Sequence, residues 1–495
     1  MNSAFRLSSD DCIVVLRTGG QLIYSWVGAD SEARVGALSW HRLPRKCIRH
    51  RPGNADNKRG MAYNNDVEAT PAVGHFPGKS QMPFTRPLVC LFLVTSTSAI
   101  VSGGDIDTWP QWRGPDRTGK IEAPAWPEKI GGDHLKQVWR VELGNSYSGP
   151  LVSQNRVFVT ETRDARTEHV QALDRKTGKS LWEASWTGSI SVPFFAKANG
   201  DWIRSTPAFD NDSIYIAGIR DVVVCLDIET GKERWRADLM AKFSAAAPAF
   251  GFVASPLVLG DHVYVQAGGG FVKLNKKTGE VVWRVLADEG GMYGSAFSSP
   301  FSATLNGVPQ ILVQTRQMLA GIDGETGKVL WSQPVKAERG MNILTPTVIG
   351  NRVFTSSYGG GSVLFEVGQA NSADAATVKE VWRTKPQAYM SSPIVIDRHI
   401  YLHLRNQRLT SLEIETGKEE WTTTPHGKYW SMVANGSKIL ALDERGDLLL
   451  INATPEKFDL MDSRKVAENS WAHLAVVGDE VFIRELNAMT VYQWK

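Results

Sequence analysis

Beyond Gly149 the apolar residues fall into short alternating runs with no helical period among them. The stretch 150–186 shows the unit: "PLVSQ", "RVFVTET", "EHVQALD" and "SLWEASW" in succession. Alternation at period two gives each run one face for a core, so each reads as a strand. "KTG" (176–178) separates the third run from the fourth. Gly there supplies a backbone angle that other residues resist, which makes a tight corner. The pattern returns about every 40–50 residues, the spacing of a four-stranded propeller blade.

A second signal counts the blades. Six units open with a small residue and Pro: Gly149-Pro150, Thr206-Pro207, Ser255-Pro256, Ser299-Pro300, Thr345-Pro346 and Ser392-Pro393. Pro suits the start of a strand, where its missing N–H costs least. "YWSMVA" (429–434) and "SWAHLAV" (470–476) open two more units without Pro. The last unit has three runs, "HLAVV", "EVFIREL" and "MTVYQW", and a fourth is available far upstream in "KQVWRVEL" (136–143). The expected fold is all-β: an eight-bladed β-propeller over 137–495, its last blade closed by an N-terminal strand. Such closure leaves no ring edge open.

The corner phrase itself repeats: "ALDRKTGKSLW" (172–182), "CLDIETGKERW" (225–235), "KLNKKTGEVVW" (273–283), "GIDGETGKVLW" (321–331) and "SLEIETGKEEW" (411–421). It resembles the tryptophan-docking motif, A-x-D-x-x-T-G-x-x-x-W, of the pyrroloquinoline-quinone-like (quinoprotein-like) propeller repeat. The resemblance covers residues 107–495. It implies that Trp139, Trp182, Trp235, Trp283, Trp331, Trp382 and Trp421 dock on neighbouring motifs. Ala172, Asp174, Thr177, Gly178 and Trp182 match in full. Cys225, Lys273, Gly321 and Ser411 stand in for Ala, and Asn275 and Glu413 for Asp. In the fifth blade "EVGQANSADAATVKE" (366–380) replaces the corner, and in the seventh Phe458 is expected where Trp would sit. A buried indole removes roughly 200 Å² from water. At about 25 cal/mol per Å² each anchor contributes at most about 5 kcal/mol.

Composition adds little to this picture. Hydrophobic content of 42% with 22% charge is that of a globular chain. Net charge is +3, and residues 1–81 hold 11 Lys and Arg against seven Asp and Glu. The cluster "RLPRKCIRHRP" (42–52) reads as a solvated segment outside the folded body rather than a nucleic-acid patch. Cys12, Cys47, Cys90 and Cys225 form no CxxC pair, so zinc ribbon, c-type haem and disulfide scaffold lack support. From Met82, "MPFTRPLVCLFLVTSTSAIVSGG" has the basic, apolar and small-residue parts of a signal peptide, placed at 82–103, and is too short to span a bilayer comfortably. Translation is therefore expected to start at Met82, with 1–81 a mis-assigned or disordered leader and the protein exported, periplasmic or extracellular. Residues 104–136 form a lead-in whose Trp109, Trp112 and Trp126 are expected to cover the propeller's outer wall.

Function is expected on the rim opposite the corners, because loops on a rigid scaffold carry binding sites. Loops leading into first strands bring Trp202, Arg204, Phe252, Tyr293, Asn342, Tyr389 and Trp430 there. Loops between second and third strands bring Arg316, Tyr358 and Arg405. Together they predict an aromatic and cationic funnel for an anionic planar ligand or an extended peptide. The family resemblance implies two roles. One is that of the propeller subunit of the outer-membrane barrel assembly machinery, without cofactor. The other is a dehydrogenase of alcohols or sugars that depends on pyrroloquinoline quinone and calcium. Against the second, the chain lacks an adjacent cysteine pair and a fused haem segment, and Asp201, Asp288 and Glu289 form no recognisable calcium set. No GxSxG, HExxH or P-loop is present. His399 and His403, on one strand, would stand roughly 13 Å apart, too far for one metal. The expectation is a monomeric, non-catalytic protein- or ligand-binding scaffold. No catalytic residue, metal or cofactor is expected, nor a nucleic-acid partner or transmembrane span, and the quinone dehydrogenase is the alternative.

Overall fold

The computed structural model describes residues 108–288, 296–369 and 376–495, and the backbone of three strands near the start of the chain. The chain divides into two units, Met1–Thr95 and Ser96–Lys495. In the first, Phe5–Leu7, Asp11–Thr18 and Gln21–Gly28 pair in order as an antiparallel meander. These strands fall in the stretch 1–81, which the sequence reads as a mis-assigned or disordered leader. The expected signal segment, 82–103, lies outside the described residues.

The second unit is an eight-bladed β-propeller. Its first blade consists of Leu151–Val152, Arg156–Arg163, Thr167–Asp174 and Ser180–Thr187. Six further antiparallel blades follow in sequence order, and the eighth contains Ala475–Val477, Glu480–Arg484 and Ala488–Trp494. Its fourth strand is Leu135–Glu142, paired antiparallel with the last strand of the chain through Val491 and Trp139. Third strands such as Leu409–Glu413 are almost wholly buried, because each blade packs between two others. Fourth strands such as Leu135–Glu142 expose one face and stand outside; first strands ring the axis.

Corner residues fasten the blades. Gly178 has φ 71° and lies so close to Trp139 that a Cβ there would sit 2.8 Å from the indole. Asp174 closes the turn by accepting from the N–H and hydroxyl of Thr177 at 2.8 and 2.7 Å. Trp139 donates its indole N–H to the Arg175 carbonyl of the next blade at 2.8 Å. Trp182, Trp235, Trp283, Trp382 and Trp421 do the same to Ile228, Lys276, Glu325, Ile414 and Thr454.

Two joints depart from the expected pattern. The fifth blade has no Thr-Gly corner, and Trp331 turns to its own blade, donating to Gln310 Oε1 at 2.6 Å. Gly321, where the motif has Ala, makes room: a Cβ there would overlap both groups. The inserted segment reaches back instead, and the Ala376 N–H bonds the Leu330 carbonyl at 3.0 Å. In the seventh blade the tryptophan position belongs to Asp462, paired with Leu450 just before the bulge that follows Trp in other blades. Phe458 lies 5.9 Å from the Trp421 ring, beneath the preceding anchor. Asp462 accepts the N–H groups of Ile130 and Gly131, both at 2.8 Å, so a carboxylate replaces the indole where the chain ends meet.

The lead-in runs through the central channel, not over the outer wall. Trp109 exchanges two backbone bonds with Val152 of the first blade, and Phe209 of the second donates to Pro110. Arg117 reaches the carbonyls of Ser255 and Pro256 in the third blade, and Arg113 that of Pro393 in the sixth. Lys120–Ile121 then adds a short parallel strand to Ser431–Asn435 of the seventh. The cause is the unpaired inner edge that first strands present to the axis; a polar backbone edge requires partners. Only Trp126 leaves the axis, packing 5.3 Å from Trp494.

Candidate functional site: a cup at the channel mouth

On the rim opposite the corners a cavity of about 220 Å³ opens around the axis. Six of the eight blades contribute one hydroxyl residue each: Thr206, Ser255, Ser299, Thr345, Ser392 and Ser431. These are the small residues before the prolines, plus the Ser of "YWSMVA". Their side chains staple the ring. Thr206 accepts the Gly149 N–H at 2.9 Å, Ser299 that of Ser255 at 2.9 Å and Thr345 that of Ser299 at 3.1 Å. Ser392 accepts from Thr345 at 3.4 Å and Ser431 from Leu474 at 2.8 Å. Trp112 of the lead-in and His473 complete the floor, their rings 5.9 Å apart.

An aromatic arc borders this cup. Trp202 meets Tyr147 edge-on at 5.8 Å, and Tyr147 stacks on Trp471 at 4.5 Å. Trp471 lies 4.3 Å from Tyr429, Tyr429 6.2 Å from Tyr389 and Tyr389 5.7 Å from Tyr358. Cations stand near both ends. The Arg405 guanidinium lies 4.3 Å over Tyr358, and that of Arg204 lies 5.8 Å over Tyr147. Burial pushes the hydroxyls of Tyr147, Tyr389 and Tyr429 above their ordinary range, so all three stay protonated. Burial lowers Arg204 to about 10, still charged at neutral pH, and His473 to about 3, hence neutral.

The predicted residues thus divide. Arg204, Tyr389 and Trp430 line the cup, and Trp202, Tyr358 and Arg405 belong to its arc. Phe252 is core, 1% exposed between the second and third blades. Arg316 pairs with Asp288 at 2.7 Å in a separate cleft, and Asn342 is a latch, donating to the carbonyls of Thr315 and Arg316. Tyr293 and Glu289 lie outside the described residues. Sequence reasoning missed Tyr147, Trp471, His473 and Trp112 as a group. Trp471 and His473 sit in the quoted "SWAHL" loop, but nothing local aims Trp112 up the channel.

The described lining does not fit calcium and a quinone. Calcium takes several hard oxygens, typically carboxylates. Among the described residues of the cup there is no Asp or Glu, one amide at Asn199, and otherwise hydroxyls. Elsewhere, Glu161, His169 and Glu183 come within metal-binding reach, but Arg163 pairs with both carboxylates, Gln171 donates to the same Glu161 oxygen, and the Gly144 N–H donates to the other. His403 stacks on Trp430 at 4.8 Å, with Nε2 3.0 Å from the Gly427 carbonyl, an ordinary strand residue.

The family described as outer membrane protein assembly factor BamB matches residues 133–192 and 166–423, more than half of the chain. The chain belongs to this family. Among BamB proteins, that of Moranella endobia is 23% identical over 377 residues, covering 71% of this chain and 88% of its own length. That of Yersinia pestis is 23% identical over 300 residues, covering 55% and 71%. The crystal structure of BamB from Moraxella catarrhalis superposes with a TM-score of 0.53 at 16% identity, covering 73% of this chain and 98% of that one. This last likeness concerns the fold. Among the described residues no helix is long and apolar enough to cross a membrane.

Proposed function

We propose that this chain is an exported, non-catalytic scaffold of outer-membrane protein assembly, with the rim that carries the aromatic arc as its working face. The observation behind this reading is the arc itself: six aromatic rings and two guanidiniums in sequence on loops of a rigid ring, with no carboxylate among the described residues of the cup. Large aromatics and Arg are the residues that dominate protein recognition surfaces. Family membership supports the choice of pathway. Export rests on the signal-like segment 82–103 with Met82 as start, and N-terminal sequencing of the native protein tests it.

Two measurements test the scaffold. Pyrroloquinoline quinone and Ca²⁺ added to purified protein should leave its absorbance and melting temperature unchanged and reduce no dye with alcohols or sugars. Turnover would establish the dehydrogenase alternative instead. A photo-crosslinking amino acid at Arg405 should capture a component of the outer-membrane assembly machinery in cells, and one at Lys176 on the opposite rim should not. Equal capture from both rims, or none from Arg405, would sink the assignment of the working face.

A further inference from the structure

The cup has a charge that its walls do not balance. Beneath it, the Arg113 and Arg117 guanidiniums lie 5.5 and 5.7 Å from the ring centre of Trp112. Both arginines are 2% exposed. Arg113 donates to the carbonyls of Thr118 and Pro393, and Arg117 to those of Ser255 and Pro256 and to the Gln111 amide oxygen. Among the described residues the Nε of each has no partner. Asp116, whose field reaches Arg113, is exposed and turned to Thr118. Burial lowers the two to about 10 and about 9, the second further depressed by the first, so both remain cations at neutral pH. Arg204 at the rim donates, among the described residues, to the carbonyls of Trp202 and Gly200, and the field of Asp201 offsets part of its charge. Buried charge without a counter-ion is costly, and an anion in the cup offsets that cost.

A second observation points the same way. Thr206, Ser299, Thr345, Ser392 and Ser431 each accept a backbone N–H from a neighbouring blade, and among the described residues none of their own O–H groups has an acceptor. A hydroxyl donates once, so five protons remain for an acceptor in the cup. Above them the walls are apolar: Tyr147, Phe250, Phe297, Met341, Met390 and Trp471. The volume corresponds to about seven waters at roughly 30 Å³ each, room for on the order of a dozen non-hydrogen atoms.

We infer that the cup binds a small aromatic monocarboxylate, its ring among the Phe, Tyr, Trp and Met side chains and its carboxylate on the hydroxyl ring above Trp112. Hydroxyl donors with cations set behind a ring suit a single diffuse negative charge; a phosphate dianion would call for guanidinium forks in direct contact. The inference rests on the reading of this rim as a binding face. It applies equally to a free metabolite and to the aromatic C-terminal residue of a peptide.

The test is titration of the purified full chain, followed by calorimetry and by tryptophan fluorescence, since Trp112 and Trp471 line the cup. The probes are 3-phenylpropionate, 3-phenylpropanamide and 2-phenylethylamine. The acid should bind at least about tenfold more tightly than the amide, and the amine not at all. Arg204→Gln should weaken the acid several-fold and leave the amide unchanged, and the double variant Ser299→Ala with Ser392→Ala should weaken the acid several-fold and the amide less, since its carbonyl accepts the same protons without the charge. Both variants spare Arg113 and Arg117, on which folding of the plug depends. N-acetylphenylalanine separates the sources: tighter binding than 3-phenylpropionate identifies a chain end, weaker binding a free small molecule. Equal affinity for acid, amide and amine, or no saturable binding of the acid, overturns the inference. Should that happen while the Arg405 crosslink persists, the scaffold reading stands and only the ligand is lost.

Discussion

Two buried carboxylates tie the folded ring to pH. Asp221 sits in the corner between the second and third strands of its blade and accepts the Gly268 N–H of the next blade at 2.7 Å. Burial raises it from the ordinary 3.8 to about 7. Glu168 is placed alike, accepting from Ile219 at 2.7 Å and Trp186 at 2.6 Å, and burial lifts it to about 7. At these two groups the folded chain holds more protons than the unfolded chain between about pH 4 and pH 7, so their contribution to stability falls as pH rises through that window, while His403 and His473, lowered by burial to about 3, contribute in the opposite sense. Asp221→Asn keeps an acceptor for Gly268, and Asn tolerates the φ of 57° found there. It should leave the melting temperature near pH 4 unchanged and raise it by about 1–3 °C at pH 8; scanning calorimetry at both values checks this. At this scale the sequence was only partly legible. The Pro of each Ser/Thr-Pro pair was readable as a strand start. The hydroxyl before it was not, because its partner lies one blade away and no local rule connects them.

At the scale of the element, the repeated corner was legible and its exceptions were not. Trp139, Trp235 and Trp382 lie buried on the next corner, and Trp182, Trp283 and Trp421 lie there partly buried. Trp331 is 2% exposed and bonded within its own blade, since the fifth blade offers no corner to receive it. It is therefore the more completely buried anchor. Trp331→Ala should cost about 3–5 kcal/mol, because it opens a cavity and leaves Gln310 unpaired, and Trp182→Ala about half as much. Urea unfolding of both variants against the parent decides, and equal losses would show that the deeper burial of Trp331 and its bond to Gln310 add nothing over corner docking. One sequence cue pointed to the difference: Gly321 stands where the motif has Ala, and the missing methyl is the space that the Trp331–Gln310 bond occupies.

The second unit is a ring with its own lead-in drawn through the middle. Blade number and closure were legible, since both follow from counting repeated signals. The path of "DTWPQWRGPDRTGK" was not, because the inner edges that attract it exist only once the ring is formed. Deleting residues 108–131 leaves the closing strand Leu135–Glu142 intact, so circular dichroism should keep its β signature. The deletion strips partners from Val152, Ala434 and Asp462, and the melting temperature should fall by about 5 °C or more. It also removes Trp112, so 3-phenylpropionate binding should disappear. A deletion variant with unchanged melting temperature would show the plug to be a passenger.

The eighth blade carries a consequence for timing. After the two-residue strand Lys120–Ile121 of the lead-in, Leu135–Glu142 is the first propeller strand to leave the ribosome, and its partner Ala488–Trp494 is the last. Joining them closes a loop that spans nearly the whole domain, and loop-closure entropy is met before that contact offers any return. Until the C-terminal strand arrives the ring lacks its closure, and the lead-in has an incomplete channel to fill.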